Sequence, residues 1–103
     1  MYKTMLVINV WDGRSPETSS TFATLCTETE LPFAPFPGLS LQLPGQRQWT
    51  LKTAAWNVTE HIFHCETDDL FINPLNIDDD FDEKLNYLVK IGWKLLGCFP
   101  NDN

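Results

Sequence analysis

Prolines at positions 16, 32, 35, 37, 44, 74 and 100, together with five glycines, fall between apolar runs and do not gather in one tract. Proline fixes φ and removes a backbone donor, so it interrupts a helix interior or a central strand. This punctuation restricts the chain to short elements. With 103 residues there is material for one core and too little to divide, so a single domain over residues 1–103 is expected. A hydrophobic fraction of 43% and a charged fraction of 20% lie in the globular range, away from the composition of disordered chains.

The first run, YKTMLVINVW at 2–11, is rich in β-branched and aromatic residues and stops at the turn signal Asp12-Gly13. Leu6, Ile8 and Val10 share one parity and Met5, Val7 and Trp11 the other, as in an interior strand covered on both sides. A polar loop follows, then TFATLCTETE at 21–30 as a second strand. LSLQL at 39–43 alternates strictly and closes at Pro44-Gly45. Residues 48–66 read as one long strand whose apolar parity changes near 53–55, the mark of a bulge or bend. LFI at 70–72 is a short strand stopped by Pro74, which predicts an edge.

The last run has helical spacing. Phe81, Leu85, Leu88, Gly92 and Leu95 recur at 3.6-residue intervals, widened by Ile91 and Leu96, with acids at the start and Lys94 and Gly97 at the end. A helix over about 80–96 is predicted. The expected architecture is α+β: a four- to five-stranded, mainly antiparallel, bent sheet with one C-terminal helix packed on one face.

Fourteen acids against seven bases give a net charge of −7. Such a surface repels nucleic acid and anionic membranes. The acids concentrate at residues 66–83, where eight occur with no Lys or Arg. The apolar run at 5–10 is far short of a membrane span and lacks signal-peptide flanks. Cys26, Cys65 and Cys98 are odd in number and widely spaced, which fits reduced thiols and a cytoplasmic location.

His61, His64, Cys65 and Glu66 are the one cluster of metal-ligand chemistry. On a strand, His61 and His64 face opposite ways, and His61 and Cys65 stand roughly 13 Å apart at about 3.3 Å per residue, too far to share zinc. By the same alternation His64 cannot activate Cys65 as a nucleophile. Asp78, Asp80 and Asp82 occupy the first, third and fifth positions of an EF-hand-like loop, but Glu83 stands where Gly is needed and Val89 where a bidentate Glu is needed. Helix capping accounts for these acids. No phosphate loop, nucleophile elbow or triad stands out, so no catalytic residue, metal or cofactor is expected.

The aromatic residues supply the remaining candidates. Trp93 lies on the helical wheel away from Phe81 and Leu85, with Asn86 and Lys90, which predicts partial exposure. LPFAPFPGL at 31–39 places Phe33 and Phe36 in an uncharged, rigid segment that turns a corner at the end of the sheet, with the rings pointing inward as plugs or joining Trp93 in an apolar interface. Pro32 and Pro35 have PxxP spacing but no flanking base.

The LPFAPFPGLSL element, the Trp-containing segment ending in FHC and the short helix near the C-terminus resemble the layout of small uncharacterised bacterial proteins carried on phages or mobile integron gene cassettes. The resemblance implies an accessory or adaptive role. The leading expectation is a protein that acts by binding, as a homodimer or with a basic partner matched to its acidic edge. The alternative is a small-molecule binder with an aromatic cleft near Trp11, Trp56 and His64.

Overall fold

The computed structural model describes residues 1–101. The strands are β1 (Tyr2–Trp11), β2 (Thr21–Leu31), β3 (Ser40–Gln42), β4 (Gln48–Asn57), β5 (Ile62–Thr67), β6 (Leu70–Phe71) and β7 (Lys94–Pro100); one helix, α1 (Phe81–Lys90), and a 3-10 turn (Pro16–Thr18) complete the fold. They form one sheet in the order β3-β4-β5-β1-β2-β7, with β6 also paired to β1. The class is α+β with one helix and a mostly antiparallel sheet, but the sheet has seven strands where four or five were expected. β1 is interior as predicted, and it pairs in parallel with β5 and β6.

The chain groups into two compact units, through both of which β1 and β2 pass: Met1–Val7 with Cys26–Asp68, and Ile8–Leu25 with the residues from Asp69 onward. The first unit buries Leu6, Leu31, Leu41, Trp49, Leu51, Ile62 and Cys65. Its largest departure from expectation is that residues 48–66 are a hairpin, not one strand. The Asn57 carboxamide accepts hydrogen bonds from the Thr59 N–H (3.0 Å) and the Glu60 N–H (2.9 Å), and the His61 N–H donates to the Asn57 carbonyl (2.8 Å). These bonds wind the chain into a tight turn, and His61 takes φ 57° to leave it. The parity change has a separate origin, a register shift between Leu51 and Thr53 in the β4–β5 ladder.

The proline stretch does turn a corner, anchored by the Gly38 N–H to the Leu51 carbonyl (2.8 Å). Leu31 and Pro35 point inward, whereas Phe33 and Phe36 are 44% and 52% exposed. The inward-pointing plug is therefore corrected: with prolines holding the path, Pro35 takes the buried position and both rings face solvent.

The second unit buries Ile8, Val10, Ala23, Leu25, Ile72, Leu85, Leu88 and Trp93. Helix α1 begins as the sequence predicts, with the Asp80 carboxylate accepting from the Glu83 N–H at 3.0 Å. It ends six residues earlier than predicted. Gly92 adopts φ 115°, and the Trp93 N–H reaches back to the Leu88 carbonyl at 2.9 Å, closing the last turn. Residues 94–100 then run as β7, so the helix is not C-terminal. β6 is as short as predicted.

The β1–β2 connection is held by a polar knot. The Ser20 N–H and hydroxyl donate to Asp12 at 2.9 and 2.7 Å, the Gly13 N–H donates to Ser19 Oγ at 2.9 Å, and Asn101 Nδ2 donates to the Ser19 carbonyl at 2.8 Å. Partial burial pushes the Asp12 carboxyl up, but the donors from Ser20 and Thr21 outweigh it and leave the carboxyl below its ordinary value. A depressed folded-state value stabilises the fold above the unfolded pKa of about 3.9, and that contribution disappears as pH falls through the folded value. Replacing Asp12→Ala should cost about 1–2 kcal/mol at neutral pH, and the difference from wild type should narrow below about pH 4. Urea titrations across that range measure it; a difference independent of pH overturns the assignment. No helix among the described residues is long and apolar enough to cross a membrane.

Candidate functional site

The hairpin determines where the exposed aromatics meet. Its register places Trp56 opposite Phe63, so both side chains stand on one face, with ring centroids 4.8 Å apart and planes at 57°. The parallel register of β1 with β5 sets Thr4 beside Phe63, and Tyr2 near the strand start meets the Phe63 ring edge-on at 5.9 Å and 64°. His61, turned outward by its left-handed backbone, stacks on Trp56 at 6.2 Å and 19°. Tyr2 remains 43% exposed and Trp56 45% exposed.

The turn that joins β4 to β5 also carries a carboxylate. Asn57 Nδ2 donates to Glu60 Oε1 at 3.2 Å, holding this carboxylate within the same turn. The crossed rings offer a π face to a Lys or Arg side chain, and the carboxylate of the adjoining turn adds negative charge to the same hairpin. Phe33 and Phe36, in the same compact unit, add further exposed apolar surface.

The other candidates separate. Trp93 is only 2% exposed. This corrects the helical-wheel expectation, because Gly92 ends the helix and Trp93 turns into the core of the second unit. Trp56 is the solvent-facing tryptophan. Trp11 belongs to the second unit, packed against Phe22 at 4.8 Å and Phe71 at 6.3 Å. His64 lies opposite Ala55 and beside Met5, on the face away from Trp56. Trp56 and His64 therefore do not line one cleft. The Trp11 Nε1 and His64 Nε2 atoms are buried without a hydrogen-bond partner among the described residues.

Cys65 is 1% exposed, and burial pushes its thiol pKa up, which disfavours the thiolate needed for nucleophilic chemistry. Among the described residues no three His, Cys, Asp or Glu side chains gather to hold a metal ion. The acids at 66–83 take separate structural tasks: Glu66 lies 3.9 Å from Lys52, Asp79 accepts from the Asn73 N–H at 2.8 Å, and Asp80 caps α1.

Tyr2 and Phe63 were not legible as site residues in the sequence, and His61 entered there only as a metal ligand that strand geometry excluded. The missed signal is Asn57: taken as the start of a turn ending near Ile62, it pairs Trp56 with Phe63 by symmetry of the hairpin. No protein-family model, curated protein or solved structure matches the chain.

Proposed function

We propose that the chain is a small acidic accessory protein of the cytoplasm that acts by binding a basic protein, using the Tyr2, Trp56 and Phe63 surface. The observation that carries this reading is the crossed, half-exposed aromatic cluster on the hairpin whose turn holds Glu60. Aromatic residues are enriched at interface hot spots, where they combine large contact area with low entropic cost. The net charge of −7 steers basic partners toward the surface and keeps acidic ones away. In this role the protein masks a cationic surface, as an inhibitor or antitoxin-like factor does.

Affinity capture from cell extract over a salt gradient tests the proposal. A basic protein should be retained at low salt and released as salt rises, and Trp56→Ala should weaken retention about tenfold or more, as truncation of a hot-spot tryptophan does. Capture that recovers nothing basic, or that is unaffected by Trp56→Ala, overturns it.

A further inference from the structure

The two ends of the sheet differ. At one end β3 has three residues, SLQ, with Pro37 before it and Pro44 after it. A short, polar, proline-bounded strand is a poor template for another chain. At the other end β7 has seven residues and, among the described residues, a single strand neighbour, β2. Between its terminal Lys94 and Pro100 the sequence is LLGCF, with no charge. Leu95, Leu96 and Phe99 are 41%, 53% and 45% exposed. Natural sheet edges are blunted by inward charges, internal proline, bulges or a covering element. The middle of β7 has no charge or proline, and Leu95, Leu96 and Phe99 stand partly in solvent.

We infer that β7 pairs antiparallel with β7 of a second copy, continuing the sheet across a two-fold axis at Gly97. An edge strand offers a row of backbone donors and acceptors, and its natural complement is another strand. Charge selects the second copy as that strand. Copies carrying −7 each repel wherever their acids meet, but residues 84–101 contain Lys84, Lys90 and Lys94 and no acid. A β7–β7 seam is thus formed from an acid-free stretch, whereas a basic partner finds no opposite charge there. Antiparallel pairing about Gly97 sets Leu95 against the partner's Phe99, Leu96 against the partner's Cys98, and the two Lys94 side chains at opposite ends of the seam. The Phe99 ring lies over Gly97, where an added Cβ would stand 3.0 Å from Cζ. A residue without a side chain at the axis lets the Phe99 rings of both copies close over it.

The inference rests on the reading of this protein as one that acts by binding, but it uses a different compact unit from the Trp56 surface. Native mass spectrometry over a concentration series, with a short bis-maleimide crosslinker on wild-type protein, tests it. The expected result is a dimer whose crosslinked peptide joins Cys98 to the partner's Cys98. Leu96→Lys, which places a charge in the seam, should raise the dimer dissociation constant about tenfold or more, while Trp56→Ala leaves it unchanged. A monomer throughout the series overturns the inference, as does a dimer crosslinked at other residues. Should Leu96→Lys fail to fold by circular dichroism, the wild-type crosslink alone decides. Loss of basic-partner capture in Trp56→Ala with an intact β7 dimer would support both readings separately; absence of any basic partner with an intact dimer overturns only the proposed function.

Discussion

Trp93→Ala should destabilise the protein by about 3–5 kcal/mol, the cost of removing a large aromatic from a packed interior and leaving a cavity behind. Trp93 is 2% exposed and follows directly on the turn that ends α1. Its backbone N–H is bonded to the Leu88 carbonyl, and Leu88 is itself buried. The ring therefore cannot be lost while the helix end simply relaxes inward. A loss of this size is a large share of the roughly 5–15 kcal/mol that stabilises a domain. Trp56→Ala is the matched comparison. That ring is 45% exposed, and its removal should cost less than about 1 kcal/mol. Urea titrations of both variants check the pair. Equal costs, or a larger cost at Trp56, would place Trp93 at the surface and restore the helical-wheel reading.

The second large effect is expected at Gly13, where Gly13→Ala should cost about 2–4 kcal/mol. A Cβ at this position would stand 2.8 Å from the Thr18 carbonyl oxygen and 2.9 Å from Ser19 Oγ. Neither neighbour yields easily. Ser19 Oγ already accepts from the Gly13 N–H and donates to the Ser15 carbonyl at 2.8 Å, and the Thr18 oxygen belongs to the backbone. Overpacking of this kind costs about 1–3 kcal/mol, and displacing Ser19 adds the loss of a hydrogen bond of about 1 kcal/mol. Adding Ser19→Ala to Gly13→Ala relieves only one of the two close contacts, so the double variant should remain well below wild type in thermal unfolding. Unchanged stability in the single variant would refute the close approach.

Elements whose signal is local were legible in the sequence. β1, β2, β3 and β6 lie where alternation and turn residues put them, because a strand bounded by Gly, Pro or Asp-Gly is specified by its own few residues. The Asp80 cap and the start of α1 were legible for the same reason. The end of α1 was not. Residues 91–96 keep an apolar pattern compatible with a helix, and the decision fell to one glycine in a left-handed conformation. Once Gly92 ended the helix, Leu95 and Leu96 passed to an edge strand and Trp93 to the core. The 48–66 segment failed in a related way: an Asx turn at Asn57 has no apolar signature, so periodicity ran through it.

The sequence by itself determined the α+β class, the acidic surface with its cluster at 66–83, and the placing of most strands. These follow from composition and short-range pattern. Tertiary structure alone decided which aromatics are exposed, that Trp56, Phe63 and Tyr2 meet while Trp56 and His64 face opposite ways, and that β7 is the last strand of the sheet among the described residues. The physical reason is register. Side chains alternate with a period of two, so a turn or bulge that moves pairing by one residue sends each ring to the other face, and no local propensity records which partner strand will stand beside it.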